Sequence, residues 1–266
     1  IIRTSLGAPI DIDIVSTALW HSENAYCTPS SYLSRSYQGA LTGFVPTYAI
    51  NDTSHDTHGY IGYTESKKSI YVVFRGSESI KNWVSNLDAV LTDYPKCSGC
   101  DVHEGFYKAE QHSINNILSE VKILKEKYPS FEIVVTGHSL GAALATLASV
   151  DIKEAGLEPV YVYTFGSPRV GDTKFAEWYT ESMTNAHRIT HHKDMVVHSP
   201  MHERFTHVGN ELYEEDNTVP VALNTCSGLE DKHCAYQWHI TSIDDHLWYM
   251  NVNMGENKGS CATIIV

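Results

Sequence analysis

The chain has 266 residues, 42% of them hydrophobic, and a formal net charge of −13 at pH 7. That length and composition suit one α/β domain spanning 1–266, since no linker, repeat or composition shift divides it. Only 19 Lys and Arg residues are present, scattered along the chain, which argues against the basic clusters that bind a phosphate backbone, and no nucleic-acid partner is expected. No run approaches ~18 consecutive apolar residues, which excludes a transmembrane helix.

Taken in chain order, hydrophobic periodicity predicts a helix over about 11–25, hairpin-like strands around 59–63 and 69–74, and a polar-apolar segment reaching residue 93. A long amphipathic helix follows near 105–128. Then come a short apolar strand ending near Thr136, a helix over 140–154 and a strand at 159–165. A helical piece near 172–183, a strand at 186–191 and a mixed tail complete the chain. Strands alternating with helices imply a mostly parallel central sheet with helices on both faces, and ligands at the carboxyl ends of its strands.

The most informative stretch runs from Phe131 to Ala145. Here Ile133, Val134 and Val135 lead into Gly137-His138-Ser139-Leu140-Gly141, and an Ala/Leu-rich helix leaves it. Two glycines at this spacing let a strand turn abruptly into a helix, presenting a serine hydroxyl beside the first amides of that helix. Ser139 is therefore the candidate nucleophile.

A serine hydroxyl needs a base, and the base needs an acid to orient it; in folds of this kind the chain order is Ser, Asp or Glu, His. Asp194 follows the strand at 186–191 and opens a loop, where such an acid belongs. Six of the 15 histidines follow it: His198, His202, His207, His233, His239 and His246. His207 sits in a strand-like alternation and suits a structural role. His246 sits where a loop gives way to an apolar helix near the end of the chain, which suits a base reaching across the sheet top.

Metal chemistry is not expected. In His202-Glu203-Arg204-Phe205-Thr206-His207 the second histidine comes one residue too late for two zinc ligands on one helix face. His191 and His192, adjacent in a strand, would point to opposite faces. No cofactor is implied.

After the strand at 69–74 come Arg75-Gly76-Ser77 and then Ile80, Trp83, Val84 and Leu87 at i, i+3, i+4, i+7, with Lys81, Asn82, Ser85, Asn86 and Asp88 between them. Ser77 and the amide of Leu140 are candidate oxyanion donors, each such donor typically contributing ~3 kcal/mol of transition-state stabilisation. The amphipathic segment, about 77–90, reads as a helical lid anchored by Trp83, whose apolar face would meet lipid when open.

Six cysteines and a sequon at Asn51-Asp52-Thr53, expected in a surface loop, point to an oxidising, extracellular setting. The chain opens Ile1-Ile2-Arg3-Thr4 without a starting methionine or a signal-like segment, so a processed, secreted form is expected. Cys97-Ser98-Gly99-Cys100 lacks the helix context of a redox pair and the second C-x-x-C of a zinc site, and so reads as a structural disulfide.

Several of these segments meet a known pattern. Val73-Phe74-Arg75-Gly76-Ser77, Ile80-Lys81-Asn82-Trp83, Val102-His103-Glu104-Gly105-Phe106, Val135 to Gly141, Phe165-Gly166-Ser167-Pro168-Arg169-Val170-Gly171-Asp172 and Asp245-His246-Leu247 stand in the order seen in fungal class 3 lipases. The chain resembles that family from about residue 11 to 261. The resemblance implies an α/β-hydrolase fold and a triad of Ser139, Asp194 and His246. It also implies Ser77 and Leu140 as oxyanion donors and the pairs Cys27–Cys261, Cys97–Cys100 and Cys226–Cys234. The expected activity is hydrolysis of acylglycerol esters at an oil–water interface. A feruloyl esterase, resembled by the segment 97–103, and a phospholipase A1 are the alternatives in the same class. A hydrolase fold that only binds lipid is the alternative outside it, disfavoured by the intact Ser/Asp/His set.

Overall fold

The computed structural model describes residues 10–216 and 221–254. Asp11 accepts a hydrogen bond from the Asp13 amide and starts helix α1 (Ile12–Asn24). Strands β1 (Phe44–Asp52), β2 (Thr57–Thr64) and β3 (Ser69–Phe74) form an antiparallel run, followed by the short helix α2 (Ile80–Asn86). A small hairpin, β4 (Leu91–Asp93) with β5 (Asp101–His103), leads into α3 (Glu104–Lys127), which His103 caps through Nδ1.

The parallel part of the sheet comes next. Strand β6 (Glu132–His138) runs into α4 (Leu140–Glu154), β7 (Val160–Phe165) into α5 (Thr173–Ser182), and β8 (Ala186–His191) precedes β9 (Glu211–Glu214) and β10 (Asn224–Thr225). A short helix α6 (Ile243–His246) and the strand pair β11 (Trp248–Tyr249) and β12 (Val252–Asn253) finish the described chain. The eight-stranded sheet has the order β1-β2-β3-β6-β7-β8-β9-β10, parallel from β3 to β9 and antiparallel at both edges. The sheet is thus mostly parallel, as expected.

Alternation along the buried strands assigns each side chain to a face. Ile133 and Val135 of β6 pack with Ile70, Val72 and Val162 under α3 and α4. Val134 points the other way, joining Tyr71, Val73, Phe165 and the α1 residues Val15, Ala18 and Leu19. Both faces are thus covered, as a parallel sheet requires.

Three local expectations are corrected. Strand β1 was not foreseen, and Asn51 lies at its exposed end rather than in a loop. His246 ends a helix of four residues and is followed by β11, so the order of loop and helix is the reverse of that expected. The segment around His207 forms a single bridge through Thr206 rather than a strand.

Candidate active site

The elbow at Ser139 is dictated by two close approaches. A Cβ on Gly137 would lie 2.4 Å from the Gly141 carbonyl, and one on Gly141 would lie 2.4 Å from the Phe74 carbonyl oxygen. No side chain larger than hydrogen fits at either position. Ser139 itself takes φ 60° and ψ −127°, a strained conformation for a non-glycine residue, and is held there by its amide bonding the Phe165 carbonyl at 3.0 Å. Its side chain is fully buried.

Asp194 leaves the end of β8 in a turn closed by its amide on the His191 carbonyl, 3.0 Å away. The buried carboxylate accepts three hydrogen bonds: from the Val196 amide at 2.7 Å, from His246 Nδ1 at 2.8 Å and from the Tyr249 hydroxyl at 2.5 Å. Burial alone would raise its pKa, but attraction to His246 and these donors outweigh it and hold the carboxyl below its usual value. Burial, reinforced by Asp194, keeps the Tyr249 phenol protonated as a donor.

A carboxylate can only accept, so Nδ1 of His246 carries the proton and Nε2 presents a lone pair. Two atoms here are buried without a hydrogen-bond partner: Nε2 of His246 and Oγ of Ser139. A basic nitrogen and a hydroxyl are the pair that nucleophilic catalysis must bring together, and in free enzymes that contact is commonly loose.

Several features place the imidazole. Gly166 has φ +58°, and a Cβ there would fall 2.8 Å from His246 Cε1 and 2.9 Å from Asp194 Oδ2, so its bareness makes room for the pair. His138 lies under His246 with ring centroids 4.3 Å apart, and its Nε2–H donates to the His246 carbonyl at 2.9 Å. The Tyr26 hydroxyl then donates to His138 Nδ1 at 2.6 Å. Burial pushes the His138 pKa well down, keeping it in the neutral form this chain of bonds requires.

The loop carrying His246 is tied to the loop carrying Asp194 by the Ser242 amide on Lys193 O, 2.7 Å, and the Met195 amide on Ser242 O, 3.1 Å. His191 Nδ1 meets the Asp245 carbonyl at 2.9 Å and His192 Nδ1 meets the Asp245 carboxylate at 2.9 Å. The adjacent histidines therefore anchor one residue beside the base.

Of the other late histidines, His198 bonds the main-chain oxygen of Asp194 and His207 the Val197 carbonyl, whereas His202, His233 and His239 are exposed. Of the histidines among the described residues, only His246 reaches the Asp194 carboxylate.

Parallel pairing sets Phe74 of β3 opposite Gly137 of β6. Ser77 and Leu140, each three residues further on, therefore emerge from neighbouring strand ends on the same side of the sheet, and both are buried. Arg75 pins the loop between them by ion pairs to Asp56 at 2.6 Å and Glu78 at 2.9 Å. In α2, Ile80, Trp83, Val84 and Leu87 are half-buried while Lys81, Asn82, Ser85, Asn86 and Asp88 are exposed. Trp83 stacks on Phe106 with centroids 6.1 Å apart.

Disulfides join Cys97 to Cys100 and Cys226 to Cys234; Cys261 lies outside the described residues. A cluster of Glu211, Cys226 and Cys234 has metal-ligand composition, but its two sulfurs are bonded to each other.

Sequence reading missed Tyr249, His138, Tyr26 and Gly166. Gly166 was visible as a glycine directly after a strand, and His138 lies inside the motif. Nothing local marks Tyr26 or Tyr249, because their bonds cross 112 and 55 residues.

A parallel sheet carrying a buried serine on a strand-to-helix elbow defines the α/β-hydrolase class. The family model for class 3 lipases matches residues 71–204, and the chain belongs to that family. It is 38% identical over 208 residues to a lipase of Rhizomucor miehei, covering 76% of this chain and 57% of that protein. It is 32% identical over 229 residues to the secreted mono- and diacylglycerol lipase A of Penicillium cyclopium, covering 82% and 74%. The structure of Rhizomucor miehei triacylglyceride lipase matches with a TM-score of 0.86 at 33% identity, covering 92% of this chain and 96% of that one. The chain spans a little over half the length of the Rhizomucor and Rhizopus niveus relatives.

Proposed function

We propose that the protein is a secreted serine esterase that hydrolyses acylglycerols, with 1–266 acting as one hydrolase domain and residues 77–90 as its lid. The observation that carries this is the buried pair of unpartnered atoms, Ser139 Oγ and His246 Nε2, behind a carboxylate that fixes the imidazole tautomer. His246 takes the Ser139 proton as Oγ attacks the ester carbonyl carbon. The oxyanion is received by Ser77 and the Leu140 amide. Collapse expels the alcohol, protonated by His246, and leaves an acyl-enzyme; water, activated by the same imidazole, then releases the fatty acid.

Acylglycerol as substrate rests on family membership and on the relatives named for it. Lid motion rests on access. Ser139, Asp194 and His246 have no exposed surface, so an ester reaches them only if a covering segment moves, and α2, whose Trp83 packs on the core, begins three residues after Ser77. Secretion is supported by two disulfides among the described residues, by the exposed sequon at Asn51 and by a relative named as secreted. No helix among the described residues is long and apolar enough to cross a membrane.

The test is a hydrolysis panel of emulsified acylglycerols, phospholipids and soluble cinnamate esters, with a fluorophosphonate label to locate the nucleophile. Acylglycerols are expected to be turned over fastest, with label on Ser139. Preference for cinnamate esters would reassign the substrate, and label elsewhere would reject the mechanism.

A further inference from the structure

At the edge of the sheet, the turn between β1 and β2, tied to Arg75 through Asp56, meets the side of α3. Asp52 closes β1, and its Oδ1 is occupied by the Ser54 amide at 2.9 Å and the Ser54 hydroxyl at 2.5 Å. That leaves Oδ2, which meets His55 Nδ1 at 2.9 Å. The His55 ring in turn lies against His112 of α3, with centroids 3.9 Å apart and planes inclined by 34°. One donor atom from each of Asp52, His55 and His112 lies within 4.8 Å of the other two. Asp52 and His55 are half-buried and His112 is exposed.

We infer that Asp52, His55 and His112 form a site for a divalent transition-metal ion, separate from the ester-hydrolysing centre, that fastens the β1–β2 turn to α3. Three side chains from two elements converge here, and none is needed by the core or by the triad. Two imidazoles and one carboxylate are the donor set of zinc, nickel or copper; calcium and magnesium take oxygen ligands and would find one carboxylate. Zinc bonds of about 2.0–2.1 Å put tetrahedral donors about 3.3 Å apart; Asp52 Oδ2 and His55 Nδ1, at 2.9 Å, have to open slightly, and His112, within 4.8 Å of them, has to close by at most about 1.5 Å. Rotation of the exposed His112 side chain and a small shift of the turn supply that.

The outer arrangement is already set. Asp52 is oriented by two bonds from Ser54, and such partners of a ligating carboxylate hold it for the ion. A depression of about 310 Å³, lined by Asp52 and His112 together with Tyr48, Asn51, Ser113 and Asn116, opens beside two of the three ligands and leaves room for water there. Because the ligands belong to a hairpin turn and a helix distant in sequence, binding favours the folded state over the unfolded chain.

The experiment uses the full chain stripped with a chelator and titrated with Zn²⁺ by calorimetry, with melting followed in parallel. One saturable site and a rise in Tm of several degrees, reversed by EDTA, are expected. Ca²⁺ should produce neither. His112→Ala and His55→Ala should each remove both effects while leaving hydrolysis of a soluble ester unchanged, which also shows that they fold. His233→Ala, at an exposed histidine elsewhere, should keep both. No saturable uptake up to about 100 µM Zn²⁺ overturns the site; so does uptake that persists in His112→Ala, or equal binding of Ca²⁺.

Discussion

Asp194 illustrates how few atoms decide the chemistry at the scale of single residues. A bare carboxylate in a dry interior would protonate, yet three donors converge on this one. Replacing Tyr249 by Phe deletes the shortest of them and keeps the ring packed on His138 and Phe165. Because Asp194 would then hold its negative charge less firmly, kcat is expected to fall roughly tenfold, one pKa unit of lost stabilisation being 1.36 kcal/mol. The acid limb of the pH–rate profile of Tyr249→Phe, compared with that of the parent, checks this; an unchanged kcat would show the phenol to be packing alone. Ser139→Ala should lower kcat by about 10⁴-fold or more, with a melting curve matching the parent, since the hydroxyl makes no hydrogen bond in the fold. Ser139 and Asp194 could be proposed from glycine spacing, a strand end and chain order, which are local or linear signals, whereas those signals left six late histidines open and the family resemblance singled out His246. Tyr249 was not legible in the sequence, since its value depends on where β11 lands.

At the scale of elements, the buried parallel strands announced themselves and the edges did not. β6, β7 and β8 match the expected apolar runs within a residue or two. β1 carries Pro46, has its pairing register broken between Pro46 and Tyr48, and is only half-buried along its middle, so neither alternation nor an apolar run marks it. β9 reads as acidic, Glu-Leu-Tyr-Glu, although Glu211 is buried against Arg188 at 3.0 Å; a strand neutralised by a distant arginine has no local signature. α2, in contrast, follows its periodicity, with Ile80, Trp83 and Val84 half-buried and its polar residues exposed. Trp83→Ser removes the aromatic that stacks on Phe106. The expected outcome is a smooth rate-versus-concentration curve through the onset of emulsion, where the parent is expected to show a jump. Soluble-ester hydrolysis should change by less than about threefold, since the triad is untouched. A retained jump would remove the lid from α2.

For the molecule as a whole, stability should depend on pH through carboxyls that the fold treats in opposite ways. Glu214 is buried at the end of β9 with one oxygen on the Met250 amide and the other unpartnered, and burial pushes its pKa up to about 7 from the ordinary 4.5. Between those values the folded state binds the extra proton, so this group's contribution is fully favourable below about 4.5 and is lost as pH rises through about 7, on the order of 3 kcal/mol in all. Asp194 acts in the other sense: its lowered pKa favours the fold at neutral pH and that contribution is lost in acid. Glu214→Gln keeps an acceptor for Met250 and abolishes the titration. Chemical denaturation from pH 4.5 to 8 should therefore show a shallower decline in the variant, and identical slopes would refute the assignment.

The complete enclosure of Ser139, Asp194 and His246 also bears on how such a molecule behaves among esters it is not meant to cut. A dissolved ester gains entry only during brief openings of that cover. Discrimination then begins with the physical state of the substrate, condensed or dispersed, before the identity of its acyl group is ever tested.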